Sequence, residues 1–260
     1  MIWKVIGQSV IGSSHVQSGK ICEDAIHYQV IKLGEDDEAL ICFVSDGAGS
    51  AKYAAHASEI SVKRGVTILR DLVFQAVEIN DKILLQLAEQ IYDDLVELSE
   101  RINEPLNEFS CTLLGFVILP TKACFLQIGD GAIVRNDGNG YFTHLWWPHN
   151  GEYQNTTTFL IDDTNFRNLK TKIIEESIIE VAIFTDGLQM LALNNESENV
   201  HQPFFNNLFK WLRKATDDEH VAVLNNKLIE YLSGETINNR TDDDKTLLLA
   251  TRSKHDVSAI

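Results

Sequence analysis

Three apolar, strand-like segments of the chain end in an aspartate that is followed directly by glycine. They are FVSDG, LQIGDG and AIFTDG, and their aspartates are Asp46, Asp130 and Asp186. A strand end fixes the backbone that carries a carboxylate, and glycine lets a carbonyl oxygen or a water molecule approach closely. Because hard divalent cations prefer oxygen ligands, this pattern indicates a site for Mg²⁺ or Mn²⁺.

Two further acidic clusters flank strand-like segments and extend the same pattern. CEDA places Glu23 and Asp24 before one segment, and TDDDKTLLLA places Asp242 to Asp244 before another. Two divalent ions about 3.5–4 Å apart can share a carboxylate and a water molecule, whose lowered pKa makes it a nucleophile near neutral pH. The same ions offset the negative charge of a phosphate group. No cluster of His or Cys accompanies these carboxylates, which disfavours Zn²⁺.

Each acidic motif also has a purely structural interpretation. An Asp-Gly pair between two strands is a common hairpin turn, and for Asp130 the hairpin and the metal role stand equally. Asp46 and Asp186 are followed by helix-like segments, where aspartate is favoured as an N-terminal cap. The acidic run at 242–244 is by itself compatible with a solvated loop. Single motifs leave the choice open, and the recurrence of acidic groups at strand ends favours a metal site.

Composition narrows the class of protein. The chain has 260 residues, with 38 acidic and 22 basic side chains and a formal net charge of -16. A charge of that sign disfavours nucleic acid and anionic membrane surfaces as main partners. The N-terminal sequence lacks a signal-peptide pattern, and no segment is long and apolar enough to cross a bilayer. The cysteines form no CxxC pair, which favours reduced thiols in the cytoplasm: Cys22, Cys42, Cys111 and Cys124.

Apolar periodicity predicts an α+β fold in which strands and helices are grouped along the chain. No internal repeat or linker interrupts it, so one domain is predicted over residues 1–260. The predicted helices are Ala51–Val73, Ile79–Ile102, Phe204–Lys214 and Glu219–Leu232. The predicted strands are Val5–Ile11, Ile26–Ile31, Ala39–Ser45, Cys111–Leu119, Ala123–Ile128, Ala132–Asn136, Tyr141–Leu145, Ile178–Thr185 and Thr246–Thr251.

The order of the motifs resembles the protein phosphatase 2C family, the metal-dependent serine/threonine phosphatases. CEDA is similar to the family's acidic N-terminal motif, SDGAGS to its Asp-Gly-x-Gly motif, and SCTLLG to its Ser-Gly-Thr-Thr strand motif. GDGA resembles its Gly-Asp-Ser motif, TDGL its Ser-Asp-Gly motif, and DDKT its closing Asp-Asn-x-Thr motif. The matches span nearly the whole chain, and a short, bacterial-type branch fits best.

The resemblance implies a four-layer α/β/β/α sandwich, in which helices flank two antiparallel β-sheets and two metal ions lie at one edge. By position, Asp46 is expected to bridge the two ions, and the Gly47 carbonyl to bind one of them. Asp186 and Asp243 are expected to hold the other ion.

The remaining acidic motifs have more peripheral roles in this picture. Glu23 and Asp24 are expected to act on the metals largely through bound water. Asp130, together with Asp186, is expected to serve a third ion found in some members of the family.

The reaction implied is hydrolysis of phosphoserine or phosphothreonine by a metal-bridging hydroxide that attacks phosphorus directly. Asp46 and Asp186 are the expected catalytic residues, acting through metal-bound water. The expected partners are a phosphorylated protein substrate and a kinase, although no residue identifies a kinase. Two alternatives remain, namely a non-catalytic module that binds a phosphoprotein or kinase, and a hydrolase of small phosphate esters.

The chain departs from the family pattern at a position that commonly contacts phosphate. Many members have arginine five residues before the aspartate of the first motif, and this chain has Gly19 there. Lys20 and His15 are the nearby basic residues predicted to contact substrate phosphate instead. The mobile flap of the family corresponds to residues 146–171, an aromatic and turn-rich segment that ordinary surface packing would also explain.

Overall fold

Two antiparallel β-sheets form the centre of the computed structural model of the chain, which describes residues 2–136, 138, 140–148, 157–162 and 166–252. In chain order the strands are β1 (Trp3–Val10), β2 (Ala25–Lys32), β3 (Glu38–Ser45), β4 (Leu113–Ile118), β5 (Ala123–Ile128), β6 (Ala132–Asn136), β7 (Phe142–His144), β8 (Lys170–Ile174), β9 (Glu180–Phe184), β10 (Leu193–Asn194), β11 (Asn199–Val200) and β12 (Lys245–Arg252). The helices are α1 (Ser13–Ser18), α2 (Ala54–Phe74), α3 (Asp81–Ile102), α4 (Gln189–Ala192), α5 (Gln202–Arg213), α6 (Asp218–Leu232) and α7 (Glu235–Asn238).

Each of the two large sheets has five strands. The first sheet has the order β1-β12-β9-β6-β7, and the second has the order β2-β3-β4-β5-β8. Ala25 lies opposite Ser45 in the second sheet, and both Ala132 and Leu247 lie opposite Phe184 in the first. Within each sheet, this register aligns the end of β3 with the beginning of β2, and the end of β9 with the beginnings of β6 and β12.

Three apolar layers explain why the sheets stack face to face. Side chains of both sheets, such as Phe116 and Leu248, form the layer between them. Leu87 and Leu95 of α3 pack with α2 on the outer face of the second sheet. Phe205 of α5 and neighbouring side chains of α6 cover the outer face of the first sheet. The predicted four-layer α/β/β/α sandwich is therefore confirmed.

The elements that the sequence did not predict are short or lie at sheet edges. α1 has six residues, none of them buried, so it carries no apolar stripe. β8 is an edge strand with one buried residue in five, and it begins inside the segment predicted as a flap. Residues 149–156 and 163–165 of that segment lie outside the described residues.

The Asp-Gly pair at Asp130 is not a hairpin turn. β5 belongs to the second sheet and β6 to the first, so the chain crosses between the sheets at residues 129–131. Gly129 has a φ of +112°, and a Cβ there would lie 2.6 Å from the Thr112 side chain. Glycine is required because the crossing needs this φ and this close approach.

The aromatic ring of Phe43 fixes β3 against its neighbours three residues before Asp46. A Cβ on Gly115, its partner in β4, would lie 2.3 Å from the ring, and one on Gly65 of α2 would lie 2.8 Å from it. The two glycines therefore form the space that the ring fills. This packing holds the end of β3, and with it Asp46, against both β4 and α2.

We expect Gly115→Ala to lower the free energy of unfolding by about 1–3 kcal/mol, since the added methyl group overpacks a closed site. Urea unfolding followed by circular dichroism measures the change. Gly34→Ala is the matched control, because no atom lies within 4 Å of the added Cβ. Equal stability of the two variants would contradict the packing role of the Phe43 ring.

Candidate metal centre

Three aspartates that are far apart in the sequence meet at one edge of the sandwich. Asp46 follows β3, Asp130 lies in the crossing from β5 to β6, and Asp186 follows β9. One carboxylate oxygen from each lies within 4.8 Å of the other two. Oxygens bound to one Mg²⁺ at about 2.1 Å lie up to about 4.2 Å apart, so small adjustments would bring all three onto a shared cation.

Burial and mutual repulsion disfavour the ionised forms of these carboxylates. Burial raises the pKa of Asp46 well above its ordinary value, and the charges of Asp24 and Asp186 raise it further. Burial, together with the charges of Asp130 and Asp243, raises the pKa of Asp186 to about 7. Like charges held this close destabilise one another unless a cation or a proton intervenes.

Asp243 adds its charge to the same cluster. It precedes β12, and its carboxylate accepts a hydrogen bond of 2.8 Å from the Asp244 N–H. Burial raises the pKa of Asp243, and the charge of Asp244 adds to the effect. The charge of Asp243 in turn contributes to raising the pKa of Asp130 and the pKa of Asp186.

Two threonine hydroxyls hold Asp24 on the same edge. Thr185 and Thr246 each donate a hydrogen bond of 2.7 Å to Asp24 Oδ2. Burial nevertheless raises the pKa of Asp24 to about 8, because these two bonds offset only part of the desolvation. Asp24 Oδ1 is buried and has no hydrogen-bond partner among the described residues.

Backbone contacts position Asp46 and Gly47. The Asp46 N–H donates to Thr112 Oγ1 at 2.8 Å, and the Gly47 N–H donates to the Glu23 carbonyl at 3.2 Å. A Cβ at Gly47 would lie 2.8 Å from Ala54, at the start of α2. Because α2 begins at Ala54, Asp46 is not its N-terminal cap.

Glu23 is buried and lies between two basic side chains. Lys20 Nζ is 3.1 Å from Glu23 Oε1 and 2.6 Å from the Gly49 carbonyl oxygen. His15 Nε2 is 3.5 Å from Glu23 Oε2. The two residues predicted to contact phosphate therefore lie against a predicted metal-site carboxylate, and their phosphate role stays a prediction.

Asp244 is a buried residue of this edge that the sequence did not single out as a site residue. Its Oδ1 accepts from the Gly12 N–H at 2.6 Å, and its Oδ2 accepts from the Glu23 N–H at 2.5 Å. His15 Nδ1 lies 3.0 Å from the same Oδ2. In the sequence, Asp242, Asp243 and Asp244 are chemically equivalent, and only folding distinguishes the buried one.

Contacts from a loop and from the first residue of α4 hold Asp130. The Thr157 hydroxyl donates to Asp130 Oδ2, and the Gln189 side-chain amide donates to the Asp130 carbonyl oxygen. Asp130 Oδ1 is buried and has no hydrogen-bond partner among the described residues. The described part of the predicted flap therefore reaches the carboxylate cluster through Thr157.

The donor set fits a hard divalent cation. The three clustered aspartates include no His or Cys, and among the described residues none of the three forms an ion pair with Lys or Arg. Buried carboxylate oxygens without hydrogen bonds, on Asp24 and Asp130, are costly unless a cation binds them. Oxygen-rich sites of this kind suit Mg²⁺ and Mn²⁺.

We expect the metal-free protein to lose stability as the pH rises from about 4 to about 8. The folded-state pKa values of Asp186 and Asp24 are raised to about 7 and about 8 from 3.8. The folded protein then binds more protons than the unfolded chain in this window, so the free energy of unfolding falls with increasing pH. The measurement is the unfolding temperature in EDTA at several pH values.

Added Mg²⁺ or Mn²⁺ should reverse this trend, because the ions compete with protons for the same oxygens. The rise in unfolding temperature on adding metal should be larger at pH 8 than at pH 5. Asp186→Asn should flatten the EDTA profile, whereas Asp93→Asn, which alters an exposed aspartate on α3, should leave it unchanged. An EDTA profile that rises across the whole window would contradict the crowding of buried charge.

The chain is similar to known proteins over most of its length. The protein phosphatase 2C model matches residues 11–233. Serine/threonine-protein phosphatase 3 of Escherichia coli (strain K12) is 35% identical over 252 residues, which cover 96% of this chain and 98% of that protein.

Solved bacterial structures share the fold at low sequence identity. The S. agalactiae serine/threonine phosphatase has a TM-score of 0.62 at 16% identity, covering 97% of this chain and 100% of that chain. The serine/threonine phosphatase Stp1 from Staphylococcus aureus has a TM-score of 0.58 at 14% identity, with 98% and 96% covered. The family match, the extent of the similarity to the Escherichia coli protein and the shared sandwich lead to one conclusion: the chain belongs to the protein phosphatase 2C family.

Proposed function

We propose that this protein is a phosphoprotein phosphatase that hydrolyses phosphoserine and phosphothreonine with the help of Mg²⁺ or Mn²⁺. The observation that carries the proposal is the meeting of Asp46, Asp130 and Asp186, whose oxygens lie within 4.8 Å of one another. Family membership supports the phosphatase activity, and the oxygen-only cluster supports the choice of metals.

The proposal retains the predicted ligand set. Glu23 and Asp24 would act on the metals largely through bound water. Asp46, the Gly47 carbonyl, Asp186 and Asp243 would hold two ions, and Asp130 would serve a third. When bound, such ions would activate a water molecule as the nucleophile and offset the charge of the phosphate group.

The side chains around the cluster supply orientation. Thr112 fixes the backbone at Asp46, and Thr185 and Thr246 direct one oxygen of Asp24. The contacts to Asp24 leave its Oδ1, which has no hydrogen-bond partner among the described residues, free to face a cation. A phosphate dianion would be repelled by the cluster alone, so the same residues that bind metal also make turnover depend on it.

The non-catalytic alternative is not favoured. Loss of ligands is the expected mark of a non-catalytic relative, and here the three aspartates come together at one edge. Gly19 and Ala48 stand where some members have a phosphate-binding arginine and a proposed acid histidine. Those departures bear on phosphate contact and on protonation of the leaving group, and they leave the metal cluster intact.

The proposed partners are phosphorylated proteins, and a regulatory kinase stays a prediction. Among the described residues, no helix combines the length and apolar character needed to span a bilayer. The four cysteines are unpaired and three of them are buried, which supports a reducing location such as the cytoplasm. The net charge of -16 disfavours nucleic acid and anionic membranes as partners.

We expect Asp46→Asn and Asp186→Asn each to lower kcat/KM more than about 100-fold, equivalent to about 2.7 kcal/mol of transition-state stabilisation. Each change replaces an anionic carboxylate of the cluster with a neutral amide and thereby weakens metal binding. The assay is hydrolysis of para-nitrophenyl phosphate and of a phosphothreonine peptide, compared in EDTA, Mg²⁺ and Mn²⁺.

Asp93→Asn is the matched control and should retain wild-type activity, because Asp93 is exposed on α3. Circular dichroism should show that all three variants are folded. Full metal-dependent turnover by Asp46→Asn would overturn the site assignment. Absence of turnover in folded wild-type protein with either metal would favour the binding module instead.

A further inference from the structure

The imidazole of His15 lies between two buried carboxylates. His15 Nδ1 is 3.0 Å from Asp244 Oδ2, and His15 Nε2 is 3.5 Å from Glu23 Oε2. The His15 side chain is 13% exposed, and that of Asp244 is 2% exposed. Both ring nitrogens are therefore directed at protein oxygens.

Asp244 connects the chain segments on the two sides of this contact. It accepts hydrogen bonds from the Gly12 N–H, which precedes α1, and from the Glu23 N–H, which precedes β2. It thus ties the segment that carries His15 to the segment that carries Glu23. The third acceptor contact of the same carboxylate orients the imidazole.

The identity of residue 244 matters for this contact. The closing motif of the family has asparagine at this position, and this chain has aspartate. A carboxylate offers two acceptor oxygens, whereas an amide offers one acceptor and one donor. Only the carboxylate can accept from the Gly12 and Glu23 amides and from His15 together, so Asp244 and His15 form a matched pair.

The other oxygen of the Glu23 carboxylate, Oε1, is held by Lys20. Lys20 Nζ contacts Glu23 Oε1 at 3.1 Å and the Gly49 carbonyl at 2.6 Å. His15 faces Oε2, which is buried and accepts no hydrogen bond from the described residues. One basic side chain therefore lies on each side of the Glu23 carboxylate.

We propose that His15, oriented by Asp244, is a positioning residue that sets the angle of the Glu23 carboxylate toward the metal centre. This inference rests on the proposed function, because Glu23 matters in this way only if the edge binds metal. It differs from the phosphate-contact role predicted from the sequence, since the imidazole acts on a protein carboxylate and not on the substrate.

The positioning role, the phosphate-contact role and a purely structural role predict different measurements for His15. Loss of a side chain that orients a metal-site carboxylate typically weakens metal affinity or activity about 10–100-fold. A phosphate ligand affects the substrate KM and the inhibition constant of inorganic phosphate, with the metal requirement unchanged. A purely structural residue lowers the unfolding temperature in EDTA.

The experiment is titration calorimetry of MnCl₂ into wild-type, His15→Ala and His15→Gln proteins, with kinetics on a phosphothreonine peptide. We expect His15→Ala to weaken Mn²⁺ binding by about tenfold, with the peptide KM at saturating Mn²⁺ and the unfolding temperature in EDTA unchanged. His15→Gln keeps an N–H donor and should restore part of the affinity. His27→Ala, which alters an exposed histidine on β2, should match wild type.

The link to Asp244 is tested by a double-mutant cycle. Asp244→Asn and His15→Ala should together weaken Mn²⁺ binding by less than the sum of the single effects, because both interrupt the same contact. A raised peptide KM or phosphate inhibition constant in His15→Ala, with unchanged Mn²⁺ affinity, would overturn the proposal in favour of phosphate contact. Unchanged affinity and kinetics would overturn both roles.

The calorimetry separates this proposal from the proposed activity. If the wild-type protein binds Mn²⁺ but does not hydrolyse phosphate esters, the proposed function fails while the effect of His15 on metal affinity is still measured. If hydrolysis depends on metal and His15→Ala binds Mn²⁺ as wild type does, only the positioning role fails.

Discussion

Repulsion among buried and half-buried carboxylates is the interaction on which the rest of this edge of the molecule depends. Asp24, Asp46, Asp130, Asp186 and Asp243 share a region where burial already disfavours ionisation. Such a cluster is stable only when protons or cations offset its charge. Since hydrolysis at neutral pH requires ionised ligands, divalent cations meet both the structural need and the chemical one.

The sandwich makes this unfavourable arrangement possible because its strands are rigid and their ends are aligned. β3 and β9 end, and β2, β6 and β12 begin, at the same edge. Phe43 fills the space above Gly115 and Gly65, and this packing fixes the end of β3 close to Asp46. The free energy of apolar burial in three layers compensates for the crowding of charge at one edge, as expected where strain is stored at a functional site.

Around the cluster, neutral and basic groups orient the carboxylates without neutralising all of them. Threonine hydroxyls donate to one oxygen of Asp24 and leave the other unpartnered. Glu23 instead lies between Lys20 and His15. The carboxylate cluster thus has a neutral inner support, with basic groups placed toward Glu23 at its margin.

The sequence by itself determined the two-sheet architecture, the principal helices and the identity of the acidic motifs. Apolar periodicity encodes which face of an element is buried, and the ordered motifs identify the family. Only the tertiary structure decided which of its alternative structural roles each motif has. Asp130 lies in a crossing between sheets because β5 and β6 pair with different neighbours, and Asp46 is no cap because α2 begins at Ala54. Asp244 and His15 are 229 residues apart, so their contact depends on the pairing of β1 with β12, which no local pattern specifies.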